Sequence, residues 1–445
     1  MAVYDSCEIV FTVLYISHNA YFVLDMNLKH ILKTIFLGVC IVMCGFSAST
    51  AQVLGLELLG DKDNITIPFK YKHNFIILEV RMSNLPLSFL FDTGAEHIIL
   101  FRKEISDILG YTYEEPVQLL GSDLEKIVLA YISRNAPLRL EGTSTVNRDI
   151  VVLDEDILHM EELTGESIDG LIGSRFFRGL NVEINYKKQE LTLYKQLPTK
   201  KIIKENYKKL NVIVHSHKPY LKCIINNNGE DIEVDILIDT GAGIPFLLFL
   251  SEDTKVNLPE YYMTGNLAKG LGGDLKGYLS KTKRLSIDDK FEFSNLITNY
   301  QALRSDSLRK MIYHRDGVIG NPLLERFSFI IDYVNEDAYF KANRNYNKDF
   351  EYDISGLILY AFGKNLDNYF VKEVLNGSPA EKAGIMKGDI IKKIGILNSN
   401  FYTLEGFYKR LIRKKGKQVR LKIERKGETY KKIVDLKDPL LQNDR

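Results

Sequence analysis

The tetrapeptide Asp-Thr-Gly-Ala occurs twice, at Asp92–Ala95 and at Asp239–Ala242, and each copy ends an apolar run. Leu87, Phe89, Leu90 and Phe91 lead into the first, and Val234, Ile236, Leu237 and Ile238 into the second. An Asp-Gly-apolar-Ile-Gly segment follows each aspartate at the same interval of 77 residues, as Asp169–Gly173 and Asp316–Gly320. Two further landmarks repeat in order. Leu120-Gly121-Ser122-Asp123 corresponds to Leu271-Gly272-Gly273-Asp274, and Val182–Tyr186 to Phe329–Tyr333. Duplication is the economical account of four matched landmarks. Two similar lobes, packed about a pseudo-two-fold axis, would each deliver one carboxylate from a strand-end loop.

The residue types suit that task. A lone Asp-Thr-Gly is an ordinary turn, but a matched pair sets a chemical constraint. Glycine lets two backbones approach, and a threonine hydroxyl can hydrogen-bond across the pair. Carboxylates about 3 Å apart cannot both ionise, so they share one proton. The ionised member can then activate water while the protonated member donates to a carbonyl oxygen.

These residues resemble the pepsin and retropepsin class of aspartic peptidases, over roughly residues 65 to 341. The resemblance implies Asp92 and Asp239 as catalytic dyad, with Thr93, Gly94, Thr240 and Gly241 bracing it. Leu171–Gly173 and Val318–Gly320 would hold the aspartate loops from behind. Gly121, Ser122, Gly272 and Gly273 are flap candidates over the cleft. The expected substrate is a peptide or protein, and no cofactor is implied. Bacterial exported aspartic peptidases with an appended peptide-binding domain are the nearest likeness. His97, directly after the first motif, could touch substrate, or it is a surface histidine. Eight scattered histidines provide no metal-ligand spacing, so no metal is expected.

A third unit begins near residue 350 with different punctuation. Val371-Lys372-Glu373-Val374, Ser378-Pro379-Ala380-Glu381-Lys382-Ala383-Gly384 and Gly388-Asp389-Ile390-Ile391 resemble a PDZ domain. Ser378 is the expected N-cap of a short helix with Pro379 at its first position and Gly384 closing it. Residues 404 to 413 read as helix, and Gln418–Glu424 with Tyr430–Val434 as a hairpin around Lys426-Gly427. By the resemblance, a peptide would add as a strand beside a groove. Ser355, Gly356 and Leu357 would receive its C-terminal carboxylate.

The expected fold is therefore mainly β: two pseudo-two-fold-related lobes of aspartic-peptidase type plus a small α+β PDZ-like domain. Residues 1–25 do not resemble an export leader, as a start codon placed too early would produce. Residues 26–51 read as a signal peptide, with Lys29, His30 and Lys33 before an apolar run to Phe46 and small residues up to Ala51. That run is too short to span a bilayer, so no stable membrane span is expected after cleavage. Residues 52–199 and 200–349 form the lobes, 350–438 the PDZ-like domain and 439–445 a tail. Periplasmic or extracellular localisation follows.

Composition adds exclusions. The formal net charge of +1 argues against nucleic-acid binding, although residues 351–445 alone carry +8. Cys223 is the one cysteine after the predicted cleavage, so no intramolecular disulfide or cysteine metal site is expected. Its apolar strand context reads as a buried structural thiol. Two lobes in one chain make pairing with another chain unnecessary, so a monomer is expected. A catalytically silent peptide-binding or chaperone-like module is the alternative function for this pattern.

Overall fold

The computed structural model describes residues 55–121, 127–250, 255–270, 273–303 and 315–441. The predicted extension and signal peptide, and flap candidates Ser122 and Gly272, lie outside the described residues. The chain is mainly β, with 51% strand and 11% helix. Among the described residues no helix is long and apolar enough to cross a membrane.

Among the described residues the strands form three sheets, and the two larger ones follow from alternating or continuously apolar segments joined by tight turns. In the eight-stranded sheet, Leu85–Asp92 lies between the antiparallel strand Phe75–Met82 and the parallel strand Gly170–Gly173. The thirteen-stranded sheet repeats that succession. Glu230–Ile238 lies between antiparallel Lys218–Asn227 and parallel Gly317–Ile319. Asp92 stands opposite Gly173 in the first register, and Ile238 stands opposite Ile319 in the second.

The aspartates of the Asp-Gly segments fasten these parallel pairs. Ser88 donates its N–H to Asp169 Oδ2 at 2.8 Å, and Asp235 does the same to Asp316 Oδ2 at 2.9 Å. In return, Asp169 and Asp316 donate their own N–H groups to Ser88 O and Asp235 O. Each side chain thus supplies one acceptor where the ladder would otherwise end.

The midline is built from the repeated Val182 and Phe329 segments. Asn181–Asn185 and Phe327–Asp332 pair antiparallel, with Val182 opposite Ile331.

 Because both segments are buried and apolar on one face, Phe327–Asp332 and its partner join the two large halves through one continuous ladder. The chain passes between residues 52–199 and 200–349 through a short helix, Thr199–Lys204, with Ile202 buried. Cys223 is buried in its strand.

The third sheet is six-stranded and has its own core, in which Tyr369, Phe407, Leu411 and Ile423 are buried. The Ser378 side chain accepts the Glu381 N–H at the start of helix Pro379–Lys382. The second helix runs Leu404–Ile412, and the last hairpin turns through Lys426 and Gly427, both at positive φ. Strand Leu357–Phe362 forms one edge of this sheet.

Candidate functional site

Asp92 and Asp239 sit where two strands run out into turns, and the turn backbone organises each carboxyl. Asp92 Oδ1 accepts the N–H groups of Gly94 at 2.8 Å and Ala95 at 3.0 Å. Asp239 Oδ1 accepts the Gly241 N–H at 2.8 Å. The two loops meet closely. A Cβ on Gly94 would fall 2.5 Å from the Asp239 carboxyl carbon, and one on Gly241 would fall 2.3 Å from that of Asp92. Only glycine permits this approach.

The threonines between them are fully buried and bond across the pair. Thr93 N–H donates to Thr240 Oγ1, and Thr240 N–H donates to Thr93 Oγ1, both at 3.0 Å. The hydroxyls donate onward, Thr93 to Ile238 O at 2.7 Å and Thr240 to Phe91 O at 2.8 Å. Four reciprocal bonds in a dry setting fix one loop against the other.

Each carboxyl lies against the glycine of the other loop, close enough to feel the other's charge. Burial pushes both above the ordinary carboxylate range, and the neighbouring charge of Asp239 drives Asp92 further up. On Asp239 the Arg315 guanidinium and the donated hydrogen bonds counteract burial. Both carboxyls are thus pushed toward the protonated form, Asp92 the more strongly.

Residues after the glycines of the downstream segments lock the loops from behind. Ser174 donates both N–H and Oγ to Ala95 O. Asn321 donates its N–H to Ala242 O at 2.9 Å and its Nδ2 to Thr240 O at 2.6 Å and Asn74 O at 2.7 Å. Tyr186 in turn donates to Asn321 Oδ1 at 2.6 Å. Sequence reading stopped one residue short of both. Their signal was position, since each directly follows a segment already matched between the halves.

Asp92 and Asp239 open into a cavity of about 1400 Å³. Phe75, Phe249 and Arg315 line it near the aspartates, and Asn266, Leu267 and Leu275 line it from the hairpin Met263–Gly270/Gly273–Ile287. Gly273 begins the second strand of that hairpin. Gly121 is buried at the end of the corresponding hairpin, Val117–Leu120/Ile127–Arg139. His97 is exposed, 3.9 Å from Glu96, and does not line the cavity.

The same cavity continues along the third sheet, where Gly356, Leu357, Ile358 and Tyr408 line it. Here the chain's own side chains occupy the backbone groups of the edge. Ser355 donates its N–H and hydroxyl to Asp353, at 2.9 and 2.6 Å, and its Oγ accepts the Leu357 N–H at 3.2 Å. Tyr408 Oη accepts the Leu359 N–H at 2.8 Å and donates to Leu357 O at 3.3 Å. Burial raises Asp353 to about 6.

The family model described as aspartyl protease matches residues 78–176, which hold the first Asp-Thr-Gly-Ala and the first Asp-Gly-apolar-Ile-Gly segment. That match supports an aspartic-peptidase-like fold and a protease-like function. No curated protein matches the chain. Among solved structures, basic 7S globulin from soybean is similar at 8% identity and a TM-score of 0.38, covering 63% of this chain and 95% of its own. Conglutin gamma, a basic 7S globulin from lupine seeds, is similar at 8% identity and a TM-score of 0.40, covering 64% and 97%.

Proposed function

We propose that this chain is an aspartic endopeptidase with one catalytic aspartate from each lobe. The observation that carries the reading is the pair of carboxyls, each against the other loop's glycine and both lining one large cavity. Asp239, beside Arg315, is the member suited to take a proton from water as it attacks the scissile carbonyl. Asp92 holds the other proton and donates it to the carbonyl oxygen, forming a tetrahedral diol. Return of a proton to the leaving amine then breaks the C–N bond. The cross-bonded threonines preset the separation of the carboxyls, so little reorganisation is needed during reaction.

In this reading the third sheet is a PDZ-like domain that receives peptide or protein termini, and the enzyme works outside the cytoplasm as a monomer. The continuity of its edge with the cleft supports a shared substrate path. Digestion of a peptide library by wild type and Asp92→Asn in parallel tests the proposal. Cleavage by wild type alone supports it, and cleavage by both overturns it. Peptide binding without any cleavage by wild type would favour a catalytically silent peptide-binding module instead.

A further inference from the structure

The two halves present different walls beside their aspartates. Ladder register makes the comparison position by position. Ile99 stands opposite Leu171 and Val151, and Leu247 stands opposite Val318 and Asn299. Val151 and Leu153 in the first half thus correspond to Asn299 and Gln301 in the second. One residue before each Asp-Gly, Ile168 corresponds to Arg315.

The first wall is apolar and filled from within, because Leu158, Met160 and Ile168 pack with Val151 and Leu153 in one buried cluster. The second wall faces the cavity with Asn299, Gln301 and Arg315. Asn299 and Gln301 are only 5% and 6% exposed. The Arg315 guanidinium lies 5.6 Å from the centre of the Phe249 ring, and its Nε is buried without a hydrogen-bond partner. A buried, unmet donor on a guanidinium that faces the same cavity as two amide side chains is costly unless an anion completes it. A planar guanidinium matches a carboxylate in particular.

We infer that Arg315, with Asn299 and Gln301, forms a subsite for a substrate carboxylate on the Asp239 side of the cleft, so that an acidic residue is preferred next to the scissile bond. The inference rests on the peptidase reading, and Arg315 has two separable effects. One is on the charge of Asp239, which every substrate feels. The other is direct recognition, which only an acidic substrate feels.

The test compares matched peptides with Glu, Gln or Leu on either side of one cleavable bond, all blocked at both ends. A second set supplies a free C-terminal carboxylate at the same place. Wild type should cleave Glu peptides with kcat/KM about 10- to 100-fold above Gln peptides, the range expected for hydrogen bonds to a charged group. In Arg315→Gln that ratio should fall to near one, and Arg315→Lys should restore part of it. Preference confined to the free-terminus set would assign the carboxylate to a chain end, with the same Arg315 dependence. Equal cleavage of Glu and Gln peptides by wild type overturns the inference. So does an Arg315→Gln variant whose pH profile shifts while its Glu/Gln ratio stays. Should wild type cleave nothing, the peptidase reading fails separately. Anisotropy with the same peptides on Asp92→Asn then decides the subsite: tighter Glu binding supports it, and equal binding overturns it.

Discussion

A carboxyl that is useful to catalysis is costly to stability, and Asp92 lets the two be separated. Its folded-state pKa is raised by burial and by Asp239. A raised carboxyl contributes its stability at acid pH and loses it as pH rises through the folded value. Asp92→Asn, permanently neutral, should therefore abolish cleavage yet raise the melting temperature at neutral pH, with no gain at acid pH. Melting curves across pH beside a cleavage assay check this, and a pH-independent loss of stability would count against it. Cleavage itself should decline on the alkaline side once the shared proton leaves. Ala95 and Ala242 offer no hydroxyl to the pair, so the optimum should be weakly acidic to neutral. Ala95→Ser with Ala242→Ser should move the kcat/KM profile toward acid, because a donated hydrogen bond favours the ionised form. The threonines carry a different load. Thr93→Val leaves the buried Thr240 N–H and Ile238 O without partners, at a cost of about 1–3 kcal/mol each. Urea unfolding should show that loss, and a change within error would mean the cross-loop bonds are dispensable.

At the level of elements, what sequence made legible was local. The Asp-Thr-Gly-Ala turns, the helix opened by Ser378 and Pro379 and the Lys426-Gly427 hairpin each depend on residues within a few positions. Repeats extended that reach: matched intervals marked the two Asp-Gly segments as equivalents, and the family resemblance set Leu171–Gly173 and Val318–Gly320 behind the aspartate loops, where their strands pair in parallel with the aspartate strands. Contacts without a repeated partner left no such trace. Arg315 stood out only against Ile168 in the other half, and Tyr408 bonds an edge strand 49 residues away. That tyrosine changes the meaning of the groove. Strand addition at Leu357–Phe362 requires Leu359 N–H and Leu357 O, and Tyr408 already holds both. Tyr408→Phe keeps the ring and releases both backbone groups, so a labelled peptide should bind the variant more tightly, by about tenfold for each hydrogen bond no longer displaced. Unchanged or weaker binding would mean that the edge is not where peptide docks.

Across the whole molecule, the third sheet is fastened to the hairpin that lines the cavity. Thr264 and Asn376 exchange two backbone hydrogen bonds, at 3.2 and 2.8 Å, and Asn266 Nδ2 donates to Glu373 at 3.2 Å. Met263, Leu375 and Leu440 form a small buried cluster at the same junction. Asp438 secures it. Its side chain is 1% exposed and takes Lys281 at 3.0 Å from the hairpin, Lys415 at 3.1 Å from the third unit and the Tyr352 hydroxyl. Burial alone would raise this carboxyl, but Tyr352, the Leu440 N–H and the two lysines hold it below its ordinary value. A depressed carboxyl contributes stability above its unfolded pKa and loses it as pH falls through the folded one. Acid should therefore loosen the junction, the reverse of its effect at Asp92. Asp438→Ala leaves two lysines facing each other and removes their shared acceptor, a loss of roughly 1–2 kcal/mol with Lys415 half exposed. Hydrogen exchange in Met263–Gly270 should then quicken at neutral pH, while exchange around Thr93 and Thr240 stays slow. Acidified wild type should show the same pattern. If the hairpin exchanges no faster in either case, the junction does not hold it, and the third sheet is only tethered to the cleft it borders.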